Sequence, residues 1–318
     1  MKSIPVKVTS KVLEAEDIFT FELANVDGTP LPSFSAGSHI DVHINDQITR
    51  QYSLCNDPSE QHRYLISVLR EPNSRGGSQA MHDLVSEGDV IHISTPKNHF
   101  SLVHAERFLL FAGGIGVTPI LCMAQRLVTT GSDFEMHYCT RSVERTAFLS
   151  QIKASKLSSH VNCYFDSDDS GRKFELAKHL ANPDMNTHIY VCGPSGFIDY
   201  VVDTAKGLSW PAENIHFEYF GASTQETLES EEFQVKIASS GELYSVPPEQ
   251  TVIEVLEKHG IDIPFSCEQG VCGTCITRVL EGVPQHRDLY FTDDEREKND
   301  QFTPCCSRSK TKVLVLDL

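Results

Sequence analysis

No stretch of this chain approaches 18 consecutive apolar residues, the length that a membrane-spanning helix requires. The first eight residues alternate like a β-strand and lack the apolar segment of a secretory signal peptide. Internal repeats and low-complexity tracts are missing as well. We therefore expect a cytoplasmic globular protein with no membrane partner, and 318 residues predict two or three domains.

Positive charge is scarce. The chain carries 27 Lys and Arg against 44 Asp and Glu, a net charge of −17. The imbalance is strongest in residues 225–318, which hold 18 acidic and 9 basic residues. Such a field disfavours nucleic acid and would steer a basic protein partner, although an acidic surface that only confers solubility explains it equally well.

Only one C-x2-C pair is present, whereas structural zinc sites usually carry two. That pair belongs to a C-x4-C-x2-C run followed after 29 residues by another cysteine, the spacing of plant-type [2Fe–2S] ferredoxins. This pattern favours an iron–sulfur cluster over a zinc site or a disulfide framework. Spacing also selects Cys305 over the adjacent Cys306. The predicted ligands are Cys267, Cys272, Cys275 and Cys305.

Two glycines of the cysteine run, Gly270 and Gly273, suit a loop whose amides must bend around sulfur. The remaining cysteines are scattered singly, so we expect free, buried thiols and no disulfides. They are Cys55, Cys122, Cys139, Cys163 and Cys192.

Residues 6–96 consist of short alternating segments punctuated by Gly, Pro, Asn and Asp, with one helical stretch at 78–86, which predicts a small antiparallel barrel. The strand segment Arg50-Gln-Tyr52-Ser53 offers a guanidinium, an aromatic face and a hydroxyl. The later Arg75-Gly76-Gly77-Ser78 opens the helical stretch, so its amides point toward an anion. Together they indicate a site for a flat, phosphorylated cofactor. Separately, each is more typical of an ordinary strand or turn.

After residue 100, apolar strands alternate with helical stretches, which predicts a parallel sheet with its ligand at the carboxyl ends of the strands. The strand 107–112 leads into a glycine turn and a helix at 120–127, an arrangement that binds pyrophosphate or simply connects a strand to a helix. Further helices are expected at 144–157 and 174–180. A later strand ends at Cys192-Gly193-Pro194, which favours a cofactor-facing loop over a core cysteine. The turn comprises Gly113, Gly114, Gly116, Thr118 and Pro119.

The barrel motifs, the glycine turn and the cysteine run, in that order, resemble the phthalate dioxygenase reductase family over the whole chain. Within it, the reductases of O-demethylases are the most similar. The resemblance implies a multi-domain protein with an antiparallel β-barrel flavin domain, an α/β parallel-sheet nucleotide-binding domain and an α+β β-grasp plant-type ferredoxin domain. The implied boundaries are 1–102 for the FMN domain, 103–222 for the NADH domain, 223–232 for a linker and 233–318 for the ferredoxin.

The resemblance also implies residue roles. Tyr52 packs against the isoalloxazine, Ser53 lies near flavin N5, and Phe220 covers the flavin. Thr118, Cys192, Gly193 and Pro194 face the nicotinamide, and the glycine turn binds the dinucleotide. The flavin phosphate is held by Arg50, Arg75, Gly76, Gly77 and Ser78.

The phosphate loop that resembles the family's favours FMN over FAD, because a pocket closed on the terminal phosphate leaves no room for an adenylate. Asp166, Asp168 and Asp169 follow the third strand of the nucleotide domain and would repel a 2′-phosphate, which favours NADH over NADPH. Arg141, Arg145, Arg172 and Lys173 lie near enough in sequence to weaken that preference.

Electron counting connects the three parts. NADH gives up two electrons as a hydride, whereas an iron–sulfur cluster accepts one at a time, so a flavin must stand between them. We expect an oxidoreductase that supplies electrons to a Rieske-type oxygenase acting on a methoxy aromatic acid. Alternatives are the same relay serving a carnitine- or phthalate-type oxygenase or a cytochrome P450, and a redox-sensing iron–sulfur protein, which would need no nicotinamide site.

Overall fold

The structure is a computed structural model that describes residues 3–45, 48–72, 76–167, 173–220, 231–265, 270, 273–288 and 290–318. The chain divides into two compact units, Met1–Phe220 and Gly221–Leu318. Among the described residues, no helix is long and apolar enough to cross a membrane.

The first part of the first unit is an antiparallel sheet in the order β4-β3-β6-β1-β2-β5. A bridge between Leu54, which follows β4, and Ile66 of β5 joins the two ends of that order, so the sheet closes on itself. The alternating apolar residues of the strands fill the interior, as the predicted barrel requires. Its elements are β1 (Ile4–Ala15), β2 (Ile18–Asn25), β3 (His39–Asn45), β4 (Ile48–Ser53), β5 (Tyr64–Leu69), α1 (Gly77–Leu84) and β6 (Val90–Ile93).

A five-stranded parallel sheet in the order β11-β10-β7-β8-β9 follows, with helices on both faces, and this confirms the predicted α/β domain. Its elements are β7 (Arg107–Gly113), α2 (Val117–Thr130), β8 (Asp133–Thr140), α3 (Leu149–Ala154), β9 (Val161–Phe165), α4 (Leu176–His179), β10 (Thr187–Gly193), α5 (Ser195–Gly207) and β11 (Ile215–Tyr219).

The prediction of a single helix at 144–157 was wrong in its extent. Only α3 is α-helical, and 3₁₀ turns at Val143–Arg145 and Lys156–Ser159 lie on either side of it. Phe148 precedes α3 with a positive φ of 62°, and its backbone N–H donates to Glu14 Oε1 at 2.9 Å. A contact with the barrel therefore interrupts what sequence periodicity presents as one helix. The helix predicted at 174–180 is likewise reduced to the four residues of α4.

The barrel and the parallel sheet share one apolar cluster, which contains residues of both. Phe100, after the last barrel strand, lies 5.5 Å from the ring of Tyr190 in β10. Arg145 also pairs with Glu16 of the barrel at 2.5 Å. These contacts join the parallel sheet to the barrel within the first unit.

The second unit contains a mixed sheet in the order β13-β12-β18-β14-β16, covered by α6, and this agrees with the predicted α+β class. A capping box at Thr251 and Glu254 begins α6. The elements are β12 (Phe233–Ile237), β13 (Leu243–Val246), α6 (Val252–Lys258), β14 (Thr277–Glu281), β15 (Pro284–Gln285), α7 (Asp293–Glu297), β16 (Gln301–Phe302), β17 (Arg308–Ser309) and β18 (Val313–Leu316).

Candidate functional site

Arg50 and the start of α1 form a cradle for an anion. A Cβ added to Gly77 would lie 2.5 Å from Arg50 Nε, so only glycine allows the guanidinium this close to the helix. Gly76 precedes α1 in the left-handed conformation, and the first turn of the helix contains no acidic residue. A cation beside the positive end of a helix dipole is unfavourable unless an anion lies between them, so this geometry fits a phosphate group.

Ser78, in the first turn of α1, accepts a hydrogen bond from the backbone N–H of Glu71 at 3.1 Å. That bond ties the segment before the loop to the helix. Arg75, predicted to complete the phosphate site, lies outside the described residues.

Tyr52 and Ser53 end β4 and project to opposite faces of the strand. Tyr52 is half-buried against the barrel core, and burial raises the pKa of its phenol. Ser53 is buried opposite His39 of β3. Tyr52 therefore lies two residues from Arg50 on the same face of β4.

The glycine turn between β7 and α2 is folded tightly onto β10. Gly114–Gly116 forms one 3₁₀ turn, and Pro119 lies in the first turn of α2. A Cβ at Gly116 would collide with the backbone of Cys192 and Gly193, so the turn depends on that glycine. Thr118 is buried and its hydroxyl donates to the Ile115 carbonyl at 3.1 Å.

The end of β10 was expected to face the cofactor. Cys192 is completely buried within the apolar cluster, and burial raises the pKa of its thiol. Gly193 is buried against Gly113, whereas Pro194 is exposed. The exposed surface of this loop therefore begins at Pro194, and the Cys192 side chain lies beneath it.

Sequence reasoning missed Glu218, which lies beside Cys192 in the register of β10 and β11. Its Oε2 atom is buried without a hydrogen-bond partner, and burial raises the carboxyl pKa to about 8. A carboxyl with a raised pKa at the carboxyl edge of a parallel sheet is a candidate functional group. The only sequence signal was an acidic residue at an otherwise apolar strand end.

Two further predicted residues lie on the surface. Phe220, directly after β11, is 41% exposed and thus offers an aromatic ring to solvent. Asp166 is exposed after β9, and its N–H donates to the Thr140 carbonyl at 3.0 Å. Asp168, Asp169 and Arg172 lie outside the described residues.

In the second unit, the expected cluster loop is described in part. Cys267 and Cys272 lie outside the described residues, whereas Cys275 and Cys305 are buried in the core of the unit. Gly270 and Gly273 have φ angles of 71° and 68°, the left-handed conformation that favours glycine. Both glycines therefore adopt a backbone conformation that other residues rarely take.

Cys306 is half-buried, and its sulfur occupies the space that a Cβ at Gly270 would need. The neighbouring Cys305 thiol, with the hydroxyls of Thr303 and Ser307, lowers the pKa of Cys306. Both adjacent cysteines are therefore at the loop, and the choice of Cys305 as ligand stays a prediction.

The buried carboxylate of Asp288 accepts hydrogen bonds from residues next to the cysteine loop. Asp288 is 3% exposed and accepts from the Phe291 N–H at 3.0 Å and the Ser307 hydroxyl at 3.3 Å. His286 Nδ1 lies 3.1 Å away. These bonds hold the segment after Cys305 against the glycines of the loop.

Both units of the chain are similar to known proteins. Residues 235–310 match the 2Fe-2S iron-sulfur cluster binding domain, and residues 98–215 match the N-terminal domain of proteins like the dimethylamine monooxygenase subunit DmmA. The vanillate O-demethylase oxidoreductase of Pseudomonas putida is 51% identical, over 98% of both chains. The solved structure of phthalate dioxygenase reductase, titled a modular structure for electron transfer from pyridine nucleotides to [2Fe-2S], is 39% identical and superposes with a TM-score of 0.81, over 99% of this chain and 98% of that one. The chain belongs to the phthalate dioxygenase reductase family.

Membership in the phthalate dioxygenase reductase family confirms the predicted oxidoreductase class, the flavin, nucleotide-binding and ferredoxin folds, and the cofactors FMN, NADH and a [2Fe–2S] cluster. An oxygenase partner follows from the same relatives. An intact type IV self-sufficient cytochrome P450 monooxygenase is also similar, with 35% identity and a TM-score of 0.82, over 99% of this chain but 41% of that one.

Proposed function

We propose that the protein is the NADH-dependent reductase of a Rieske-type aromatic O-demethylase, with vanillate as the substrate of the partner oxygenase. The observation that carries the proposal is the full-length 51% identity to a vanillate O-demethylase oxidoreductase. The substrate binds to the oxygenase and not to this chain, so its identity rests on that relative.

A bound flavin would supply the exchange between two-electron hydride chemistry and single-electron transfer to the iron–sulfur cluster. The protein's own residues bind and orient these groups. Arg50 and the first amides of α1 hold the phosphate, Tyr52 presents its ring, and Ser53 lies at the strand end.

On the nucleotide side, the turn at Gly116 and the loop at Gly193 and Pro194 form the edge against which the nicotinamide lies. Thr118, Cys192 and Glu218 support that edge from within. We assign Phe220 as the aromatic cover of the flavin, which its exposure permits.

Electrons leave from the second unit, where we assign Cys267, Cys272, Cys275 and Cys305 as the cluster ligands. Helix α7 of this unit begins with three consecutive acidic residues and contains no buried residue. This surface favours docking to a basic face of the oxygenase.

The test is reconstitution. Purified reductase and NADH are mixed in turn with vanillate, phthalate and carnitine oxygenases and with a P450, and product is measured. We expect turnover at least about tenfold faster with the vanillate oxygenase, a discrimination of about 1.4 kcal/mol. Equal or faster turnover with a P450, which the similarity to a self-sufficient P450 makes the second candidate, would overturn the assignment.

The flavin site has its own test. Arg50→Ala removes a charge-assisted phosphate contact and is expected to weaken FMN binding about 10- to 100-fold. Arg70→Ala is the matched control, because Arg70 belongs to the same barrel but pairs with Asp83 on the surface at 2.7 Å. Flavin retention by the Arg50 variant equal to that of the control would show that the phosphate lies elsewhere.

A further inference from the structure

A cluster of metal-ligating side chains lies in the nucleotide domain, away from the strand ends. Glu135 and His137 are two residues apart on β8 and therefore project from the same face, and His179 ends α4 above them. One ligating atom of each residue lies within 4.8 Å of the others. None of these three residues is among those assigned above to the flavin, nicotinamide or iron–sulfur site.

His137 has a buried nitrogen without a partner. Its side chain is 0% exposed, and Nε2 makes no hydrogen bond. Glu135 Oε1 lies 3.5 Å from this nitrogen, without the geometry of a hydrogen bond. Two ligands about 2.0–2.1 Å from a tetrahedral zinc ion are about 3.3 Å apart, so this separation is compatible with both atoms binding one cation.

The other ring nitrogen of His137 explains why Nε2 is free to ligate. Nδ1 lies 3.2 Å from the Tyr164 hydroxyl, and His179 Nε2 lies 3.5 Å from the same hydroxyl. A hydroxyl oxygen can accept from both rings. Protons directed to Tyr164 leave a lone pair on the opposite nitrogen of each imidazole, which is the usual arrangement of histidines around a metal.

Neighbouring groups hold the carboxylate and pack against the two rings. Asn162 Nδ2 donates to Glu135 Oε1 at 3.0 Å, and Arg107 lies 3.8 Å from Oε2. The ring of Phe111 stacks on His137 at 5.1 Å, and Phe174 stacks on His179 at 5.9 Å. The partial exposure of Glu135 and His179 leaves a route for an ion from solvent.

We propose that Glu135, His137 and His179 bind a divalent transition-metal ion of the zinc class, with water completing the coordination. Two imidazoles and one carboxylate are a common donor set for zinc with one open position. The ion ties the short helix α4 to β8. A four-residue helix has little stability of its own, so this cross-link is expected to stabilise the domain.

The experiment uses the oxidised holoprotein and Zn²⁺ in a buffer without chelators. Isothermal titration is expected to show one tight site per chain. X-ray absorption at the zinc edge separates this site from the cysteines, because nitrogen and oxygen ligands lie at about 2.0–2.1 Å and thiolates at about 2.3 Å. We expect a first shell of nitrogen and oxygen only.

Variants assign the ligands. His179→Ala is expected to weaken zinc binding at least about 100-fold and to remove the zinc-dependent rise in melting temperature. Glu135→Gln is expected to weaken zinc binding about 10-fold or more. Both residues are partly exposed, so neither change leaves a large buried cavity. His160→Ala is the matched control, because His160 is half-buried beside β8 with its ring stacked on Phe134 at 4.5 Å.

Three results would overturn the proposal: a sulfur shell around the bound zinc, wild-type affinity in His179→Ala, or an equal loss in the His160 control. If the Glu135 and His179 variants both lose the site while flavin and iron contents stay at wild-type levels, the assignment holds.

Discussion

The cysteines of the two units differ in their surroundings. In Met1–Phe220, Cys55, Cys122 and Cys192 are buried, and burial raises the pKa of each thiol, to about 12 for Cys55. In the second unit, the adjacent Cys305 thiol and two hydroxyls lower the pKa of Cys306. Burial therefore disfavours the thiolate at these three positions of the first unit, whereas the neighbours of Cys306 favour it.

The largest effect expected is at the adjacent pair. Cys305→Ser removes a predicted cluster ligand and should abolish the [2Fe–2S] signal and cytochrome c reduction, whereas Cys306→Ser should keep both. Iron content and the EPR spectrum of the reduced protein measure the outcome, with FMN content as the internal control. A cluster lost only in the Cys306 variant would reverse the assignment.

Gly116→Ala tests whether the close contact between the glycine turn and the backbone of Cys192 is needed for reaction with NADH. The added Cβ collides with the Cys192 carbonyl, so the turn must shift. We expect kcat/KM for NADH to fall about 100-fold, because small displacements of reacting groups are costly. Gly196→Ala, in α5 and with open space around it, is the control and should keep wild-type kinetics.

Glu218→Gln tests the carboxyl beside Cys192. The folded pKa of about 8 lies above the unfolded value of 4.5. The folded protein therefore retains a proton that the unfolded chain loses, and stability falls as pH rises from about 4.5 to 8. The variant lacks this slope, so its melting temperature should exceed that of the wild type by more at pH 8 than at pH 5.

The difference between the two gains corresponds to roughly a few kcal/mol, because each pKa unit is worth about 1.4 kcal/mol. Glu213→Gln, an exposed glutamate of the same domain, should show the wild-type slope. A parallel pH dependence in the Glu218 variant would show that this carboxyl is ionised in the folded protein.

Cys122→Ser is expected to have the smallest effect. It places a hydroxyl in the apolar cluster of the first unit and should cost about 1–3 kcal/mol of stability, measured by urea unfolding. Flavin, iron and turnover should stay at wild-type levels. A loss of turnover with no loss of stability would mean that Cys122 is more than a packing group.

The sequence by itself determined the barrel, the parallel sheet and the cysteine loop, because each rests on a local signal. Alternation and turn residues mark the strands, and glycines mark the loops where φ is positive or backbones meet, as at Gly270 and Gly116. Each of these signals extends over only a few residues of sequence.

Only the tertiary structure decided the rest. The helix expected at 144–157 is broken by a contact with Glu14, more than a hundred residues away. Glu218 is unremarkable until β11 places it beside Cys192, and His179 lies 42 positions from His137 with no motif to connect them. Burial and long-range juxtaposition change what a carboxyl, thiol or imidazole does, and neither is written in local spacing.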